Sequence, residues 1–316
     1  MSSENETTKG KFLALGNIDR VRYENSSSNP SFLALGNIDR SRNITKVGEQ
    51  TVYGGGTYSS ITATKLGYKA AVLTRGNLAL ARWIKNLENM GIEVFVERDK
   101  ATLEVINDYS TGKWVQKILS TTGKIVFDLD RKFDIIHINP LFKEIDRETI
   151  QVARKKCKIL SLEVQGLLRN SNNGTMFLEP LRGREHYFKD VDVLHVSDAE
   201  AKFVTKETEP EEICRDLQSA GPKVVLYTLG AKGSFIMGKE FHEIPAFRVR
   251  EVDPTGAGDT YSASFDVKFF EGAGEKEAGF FASAAASFCV EDFGYKNIQP
   301  RERVEERFKR LVKEAE

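Results

Sequence analysis

Cysteine, unbalanced charge and long apolar runs are all scarce in this sequence of 316 residues. Its 3 cysteines, Cys157, Cys214 and Cys289, are odd in number and far apart. They argue against a disulfide framework and against paired metal-ligand spacing, and they fit a reducing compartment. The 46 basic residues balance 46 acidic residues, so no net field attracts nucleic acid or an anionic membrane. We therefore expect a small-molecule ligand, with no nucleic-acid or membrane partner.

Segments that would direct the chain to or through a membrane are also missing from the sequence. The apolar stretch at residues 280–290 is interrupted by serines and is too short to cross a bilayer. The beginning, "MSSENETTKGKFLAL", has no basic start followed by a long apolar run. With 40% hydrophobic and 29% charged residues, the composition is typical of an ordinary globular protein. We expect a cytoplasmic location and either a monomer or a homodimer.

Short β-rich runs alternate with helical patterns through most of the chain. The runs "KAAVLTRG", "DIIHINP", "CKILSLEV", "VDVLHVS" and "KVVLYTLG" are separated by amphipathic or polar stretches such as "EPEEICRDLQSAG". This alternation predicts a parallel sheet covered by helices. Residues 92–125 instead show alternating strands with turn signals at "RDK", "STG" and "TTG", which predicts a small antiparallel insertion. Because ligands bind at the carboxyl ends of parallel strands, such an insertion is well placed to become a lid.

The stretch "EVDPTGAGDTYSASF" at residues 251–265 carries the clearest chemical signal. Gly256 and Gly258 let the backbone approach a ligand, and an apolar helical pattern follows them. The amides of Gly256, Ala257 and Gly258 then face outward at a helix N-terminus, which favours a bound phosphate. Asp259 lies at the rim of this phosphate cradle, where a carboxylate is unfavourable unless it accepts a proton from an attacking hydroxyl. The alternative is that Asp259 only caps the helix.

These residues resemble the second signature of the ribokinase or PfkB carbohydrate kinases, and the resemblance covers nearly the whole chain from Phe32 onward. It implies an α/β fold with a three-layer α/β/α core, a mainly parallel central sheet and a small β-sheet lid. It also implies ATP-dependent phosphoryl transfer to a hydroxyl of a polyol or sugar, with Asp259 as general base and with ATP and Mg²⁺ as cofactors. A nucleoside or furanose-sugar kinase and a non-catalytic nucleotide or sugar sensor are the alternatives.

The resemblance also assigns the donor side of the site. The stretch "VVLYTLGAKGS" is similar to the nucleotide-binding strand and loop of the family, and "VSDAEA" matches the Asn-x-x-Glu element at its last position, with Ser197 where Asn is usual. This match implies that Glu200 organises magnesium through water, although "SDAE" is also a common helix N-cap. The residues implied to bind the nucleotide are Thr228, Gly230, Gly233, Thr255, Gly256 and Gly258.

Two further stretches, "HINPLFKE" and "LEVQGLLR", resemble the myo-inositol kinase branch of the family. Glu163 and Gln165 offer the donors and acceptors that a polyol ring needs. Arg169 either contacts phosphate or joins a surface ion pair. His137 alternates with apolar neighbours in a strand, which favours a core histidine over a catalytic one. The residues implied to bind the acceptor are Asp39, Gly54, Gly55, Gly56, Glu163, Gln165 and Arg169.

One departure from the family pattern concerns the acceptor. The family carries Asp five residues after the glycine that ends the first strand, whereas here Gly36 is followed at that spacing by Ser41, with Asp39 two residues earlier. Either Asp39 takes the place of the family aspartate in a rearranged loop, or one hydroxyl contact is missing. A site built to bind a hydroxyl discriminates strongly, so the identity of the acceptor depends on which is true.

The nonapeptide "FLALGNIDR" occurs twice, at residues 12–20 and again at residues 32–40. The second copy lies directly before the glycine-rich "YGGG" segment, which gives the strand-to-glycine spacing of the family. The first copy runs into a Ser- and Asn-rich segment that is typical of a flexible tether. We therefore expect residues 1–31 to be an extension and residues 32–316 to be the kinase domain, with lid segments at about 41–53 and 92–125.

Overall fold

The structure, a computed structural model, describes residues 29–46, 48–111 and 115–315. It contains a sheet of nine strands and a second sheet of six strands. The strands are β1 Ser31–Leu35, β2 Arg40–Thr45, β3 Gly48–Tyr53, β4 Lys69–Gly76, β5 Glu93–Arg98, β6 Glu104–Asp108, β7 Val115–Ser120, β8 Phe133–Ile138, β9 Cys157–Glu163, β10 Arg169–Asn172, β11 Thr175–Leu178, β12 Val193–Ser197, β13 Val224–Thr228, β14 Ser234–Met237 and β15 Phe241–Ile244. The α-helices are α1 Gly56–Lys65, α2 Ala81–Asn89, α3 Arg147–Arg154, α4 Gln165–Leu168, α5 Glu185–Phe188, α6 Asp198–Ala201, α7 Pro210–Ser219, α8 Ala257–Phe270, α9 Glu275–Cys289 and α10 Arg301–Ala315.

The nine-stranded sheet is mainly parallel and has the order β15-β14-β13-β12-β9-β8-β1-β4-β5. Its strands run parallel from β5 to β13, and only β14 and β15 are antiparallel additions at one edge. Strands β1 and β12 are buried at all but one position each, because both faces of a parallel sheet are covered.

Helices cover both faces of the central sheet, which gives the three-layer α/β/α fold that the sequence predicts. The side chains of β1 alternate between two apolar clusters, as the two-residue period of a strand requires. Leu33 and Leu35 belong to the cluster that includes side chains of α3 and α7. Phe32 and Ala34 belong to the cluster that includes α1, α2, α8 and α9. All four side chains are fully buried, so β1 lies at the centre of the core.

The six-stranded sheet has the order β10-β11-β7-β6-β2-β3. Two features of this sheet differ from the prediction for residues 92–125. Strand β5 belongs to the central sheet, where it pairs in parallel with β4, and β2 pairs in parallel with β6. Strands β10 and β11, which complete the small sheet, were not predicted from the sequence. Strand β5 is the edge strand of the central sheet and is only partly buried, so its alternating pattern is typical of either sheet.

The second copy of the nonapeptide forms β1, between β4 and β8, while the first copy at residues 12–20 lies outside the described residues. We expect that deletion of residues 1–29 leaves turnover unchanged. The melting temperature should stay within a few degrees, the shift that about 1 kcal/mol causes in a chain of this size. Loss of activity or a large fall in melting temperature would show that the first copy is part of the fold.

Among the described helices, none is long and apolar enough to cross a membrane.

Candidate active site

An open cavity of about 500 Å³ lies where the central strands end and the small sheet covers them. Its size is within the range of small-molecule sites. The walls come from the ends of β9, β12 and β13, from the first turn of α8 and from the lid strands β6 and β7. Most residues that the sequence predicts to bind ligands line this cavity. Gly56, Gly233 and Ala257 do not line it.

Asp259 lies in the first turn of α8, directly after a backbone turn that only glycine fits. Gly256 has a φ of 81°, and a Cβ atom there would lie 2.1 Å from the ring of Tyr58. Gly256 and Gly258 both line the cavity beside Asp259. The amide of Ala257, in contrast, donates to the carbonyl of Pro254 at 3.3 Å. Of the three amides that the sequence predicts to face a phosphate, the amide of Ala257 therefore has a partner within the chain.

The carboxyl group of Asp259 is buried, and its surroundings favour the protonated form. Its Oδ1 accepts a hydrogen bond from Asn139 Nδ2 at 3.2 Å, and the residue is 8% exposed. Burial and then the negative charge of Glu163 raise the pKa of Asp259 to about 8, although Asn139 and two histidines oppose the shift. A carboxylate with this pKa can take up a proton at neutral pH, which is the property of a general base.

Asp39 and Ser41 lie together on the acceptor side of the cavity. Oδ1 of Asp39 accepts from the amide of Gly54 at 2.8 Å, and Oδ2 accepts from the hydroxyl of Ser41. A Cβ atom on Gly54 would lie 2.3 Å from Asp39 Oδ1, so glycine is needed for this approach. Burial raises the pKa of Asp39 to about 6. The serine at the unusual position therefore orients the neighbouring aspartate toward the cavity.

Glu163, Gln165 and Arg169 form a chain of hydrogen bonds along the cavity wall. Gln165 donates to Glu163 Oε2 at 3.1 Å, and Arg169 donates to Gln165 Oε1 at 2.8 Å. Arg169 also donates to the carbonyl of Leu141 at 3.0 Å and is only 8% exposed. The alternative of a surface ion pair for Arg169 is therefore wrong, because its guanidinium group is buried in the wall of the cavity.

Behind this wall lies a buried network of charged groups between the sheet and α8. His137 Nδ1 lies 2.7 Å from Asp266 Oδ2, and His137 Nε2 lies 3.3 Å from Glu163 Oε1. The hydroxyl of Ser262 donates to Glu163 Oε1 at 2.5 Å. Burial alone would lower the pKa of His137, but hydrogen bonds to Asp266 and Glu163 raise it to about 10. Burial alone would raise the pKa of Glu163, but the two adjacent histidines, His137 first, lower it.

The donor side is formed by the ends of β12 and β13. Thr228 and Gly230 line the cavity, whereas Gly233 has a φ of 99° and turns the chain into β14. Ser197 and Glu200 form a capping box at the start of α6, in which Glu200 Oε2 accepts from the amide of Ser197 at 2.9 Å. The helix-cap interpretation of this segment therefore applies, while Glu200 also lines the cavity.

Within the described part of the chain, no group of three or more His, Cys, Asp or Glu side chains could hold a metal ion. Asp198 and Glu200 nevertheless line the donor side of the cavity together. Magnesium commonly binds through one or two carboxylates, substrate phosphates and water, and it does not require a cage made entirely of protein ligands. These two carboxylates therefore fit a magnesium ion held partly through water and phosphate.

Three side-chain amides on the lid connect it to the cradle. Asn43, Asn107 and Gln116 lie opposite one another on β2, β6 and β7. Gln116 donates to Asn107 at 2.7 Å, and Asn107 donates to Asn43 at 2.9 Å. Asn43 then donates to the hydroxyl of Thr255 at 2.6 Å. The lid is therefore hydrogen-bonded to the residue that precedes Gly256.

Several residues of the site were not identified from the sequence. They are the cavity-lining residues His195, Asn107 and Gln116, and Asn139, which contacts Asp259. Asn139 and His195 lie at or next to the carboxyl ends of β8 and β12, where polar residues interrupt apolar strands. A polar residue within or directly after an apolar strand is therefore a sequence pattern that could have identified these two residues. For the lid amides, the sequence carries no comparable signal, because polar residues are common on small exposed strands.

The comparisons with known proteins agree with this geometry. A model of the pfkB family carbohydrate kinases matches residues 91–302. A nucleoside kinase of Methanothermobacter thermautotrophicus is 49% identical over 78 residues, which are 25% of this chain and 25% of that protein. The ribokinase of Haemophilus influenzae is 25% identical over 271 residues, 79% of this chain and 85% of that protein.

A solved structure, a pyrophosphate-dependent kinase in the ribokinase family complexed with a pyrophosphate analog and myo-inositol, superimposes with a TM-score of 0.75. It is 26% identical and covers 87% of this chain and 99% of its own. The fold and the family that the "DPTGAGD" stretch predicts are thus confirmed. The chain belongs to the pfkB family of carbohydrate kinases.

Proposed function

We propose that this protein transfers the terminal phosphoryl group of ATP to a hydroxyl of a small polyol, with myo-inositol as the favoured acceptor. The observation that carries the proposal is the buried carboxyl of Asp259 beside Gly256 and Gly258. This carboxyl lies at the helix N-terminus, between the acceptor wall and the donor wall of one cavity.

In the proposed reaction, an acceptor hydroxyl lies between Asp39 and Asp259. Asp259 accepts the hydroxyl proton as the oxygen attacks the terminal phosphorus of the donor in line. The glycine amides at the start of α8 stabilise the negative charge on the transferring group. The lid amides exclude water, which would otherwise compete as the acceptor. Magnesium, held through water by Glu200, would neutralise donor phosphate charge when bound.

The polar groups on the acceptor side support a polyol. Asp39 and Glu163 provide acceptors, and Ser41, Gln165 and Arg169 provide donors, all lining the same cavity. A ring with hydroxyls on every carbon needs both kinds of group. The similarity to a structure that holds myo-inositol points in the same direction. The alternative acceptors are a nucleoside or a furanose sugar, which the nucleoside kinase and ribokinase relatives favour.

Pyrophosphate is the second candidate for the donor, because one structural relative is pyrophosphate-dependent. A donor-consumption assay decides both questions at once. The purified protein is supplied with ATP or with pyrophosphate and with inositols, ribose, fructose or nucleosides in turn. We expect the highest kcat/KM with ATP and myo-inositol. Far more efficient phosphorylation of a nucleoside would overturn the acceptor assignment, and consumption of pyrophosphate alone would overturn the donor assignment.

Replacement of Gln165 by leucine is expected to weaken binding of the polyol and not binding of the donor. The substitution removes the hydrogen-bonding partner of Arg169 and Glu163 and leaves buried hydroxyls of the ligand unpaired, at a cost of about 1 to 3 kcal/mol. Steady-state kinetics should therefore show a raised KM for the polyol and an unchanged KM for ATP. The control is Gln151→Leu, on α3 and outside the cavity lining. Equal increases in both KM values would contradict the assignment of Gln165 to the acceptor side.

A further inference from the structure

Positive charge is scarce around the cavity although its proposed ligand is a phosphate. Among the described lining residues there are five carboxylates but only two side chains that can carry a positive charge, Arg169 and His195. Arg169 lies on the acceptor wall, where it donates to Gln165 and to the carbonyl of Leu141. The charge beside the phosphate cradle must therefore come from His195 or from outside the protein.

His195 lies between the acceptor wall and the donor wall. Its Nδ1 is 3.6 Å from Glu163 Oε1, and its Nε2 is 2.9 Å from the hydroxyl oxygen of Thr228. A Cβ atom added to Gly258 would lie 3.1 Å from His195 Cε1. The ring is 5% exposed and stacks on Tyr261 at a centroid distance of 6.4 Å. One edge of the imidazole thus faces the cradle directly.

The charged groups around His195 favour its protonated form. Glu163 on β9 is the nearest of them, and Glu200 on α6 and Asp259 on α8 add further negative charge. Burial alone would lower the pKa of His195, but the adjacent negative charge of Glu163 raises it above the ordinary value. His137 on β8 acts from behind, because it shares Glu163 and holds that carboxylate ionised.

We propose that His195, as an imidazolium, positions the phosphoryl group during transfer, by placing a positive charge against the cradle and by orienting the hydroxyl of Thr228 toward the donor. This inference rests on the proposed phosphoryl transfer. In an imidazolium both ring nitrogens carry a proton, so Nδ1 faces Glu163 as its charged partner at 3.6 Å and Nε2 donates to Thr228 at 2.9 Å. The hydroxyl of Thr228 must then point its own proton elsewhere, and the cavity lies next to it.

His195 does not change its protonation state during the proposed reaction. The bond between the terminal phosphorus and the bridging oxygen of the donor breaks, and a bond between that phosphorus and the acceptor oxygen forms. The acceptor proton passes to Asp259. His195 keeps its proton throughout, and its charge stabilises the phosphoryl oxygens, which become more negative in the transition state.

Binding of sulfate tests this role without any turnover. Sulfate remains a dianion throughout the neutral and alkaline range, so a change of its affinity with pH reports on groups of the protein. The titration uses Asp259→Asn protein, because ionisation of Asp259 would otherwise repel the anion, and it runs upward from pH 7, above the range in which Asp39 titrates. We expect sulfate affinity, measured by calorimetry, to fall at least about tenfold as His195 loses its proton, because one unit of positive charge a few ångströms from the dianion is lost.

Asp259→Asn/His195→Gln protein should bind sulfate weakly and with little change over this range. The matched control is Asp259→Asn/His186→Gln, because His186 is exposed on α5 and should leave the decline intact. If the His195 variant binds sulfate as tightly as the Asp259→Asn protein and loses affinity with pH to the same extent, the proposal is overturned. If that variant does not fold, the His195 Cε1 proton signal of the Asp259→Asn protein replaces it. Its pKa should rise on addition of sulfate, and a pKa that does not move would overturn the proposal.

Different results would contradict the role of His195 and the proposed phosphoryl transfer. Turnover of the native protein with no effect of His195 on sulfate binding would contradict the role of His195 alone. A decline in sulfate affinity that depends on His195, in a protein that phosphorylates no acceptor, would support the anion contact and contradict the proposed function.

Discussion

Replacement of Asp259 by asparagine is expected to lower kcat by at least about 10²-fold, because asparagine cannot accept the proton of the attacking hydroxyl. Folding and ATP binding should remain close to those of the native protein, since the amide has nearly the same shape and keeps a polar contact with Asn139. The measurements are steady-state turnover, ATP affinity by calorimetry and the melting temperature. Asp128→Asn is the matched control, because Asp128 is exposed. Turnover of the Asp259 variant at the native rate would reject the role of general base.

The pH profile of the native protein gives an independent test of Asp259. Because its raised pKa is about 8, the carboxyl is mostly protonated at pH 7 and becomes a base as the pH rises. The kcat/KM, which reports the free enzyme, should therefore increase with pH up to about 8, and it should fall again where His195 loses its proton. The Asp259→Asn protein should lack this rise. A native profile that is flat between pH 6 and 9 would show that Asp259 does not control the rate.

Replacement of His137 by leucine is expected to lower the free energy of unfolding by about 3 to 5 kcal/mol, the cost of removing one partner from a buried ion pair. Asp266 and Glu163 would lose the cation that they share in the interior. Urea unfolding at pH 7 measures the loss. His186→Leu is the control, and this exposed substitution should change stability by no more than about 0.5 kcal/mol. A loss below about 1 kcal/mol for His137→Leu would contradict a charged network.

The effect of His137 should depend on pH in one direction. Its pKa is raised from 6.5 to about 10 in the folded protein, so its contribution to stability is present in full below pH 6.5. The contribution is lost as the pH rises toward 10. The difference in unfolding free energy between the native protein and His137→Leu should therefore shrink between pH 7 and 10. A difference that grows over this range would mean that the histidine is neutral in the folded state.

Local sequence patterns indicated the parallel strands at the centre of the sheet and the glycine turn before α8. The apolar run of β1 and the turn before α8 each depend on a few consecutive residues, and the structure places Gly256 and Asp259 side by side at the cavity. Where a position depends on distant partners, the sequence was less informative. Strand β5 is only partly buried because it lies at an edge of the central sheet. Its parallel pairing with β4 shows to which sheet it belongs.

The buried network shows the same limit in the site. His137, Glu163 and His195 come from three separate strands, and they meet because β8, β9 and β12 are neighbours in the central sheet. No local spacing reveals that order. His137 was predicted to be a core residue, and it is fully buried, but its contact with Glu163 links it to the cavity wall. The burial of Arg169 was missed for a similar reason, because its partners include the carbonyl of Leu141, which precedes it by 28 residues.

The central claim is that one cavity brings a phosphoryl donor and a polyol hydroxyl to Asp259. Phosphorus NMR of the native protein with ATP, Mg²⁺ and myo-inositol tests it most directly, because the spectrum shows both the donor and the product. We expect a new phosphomonoester signal that grows in step with ADP and requires the acceptor. With Asp259→Asn protein the signal should appear at least about 10²-fold more slowly. If ATP binds but no phosphomonoester forms with any inositol, sugar or nucleoside, the protein is a non-catalytic sensor and the claim is contradicted.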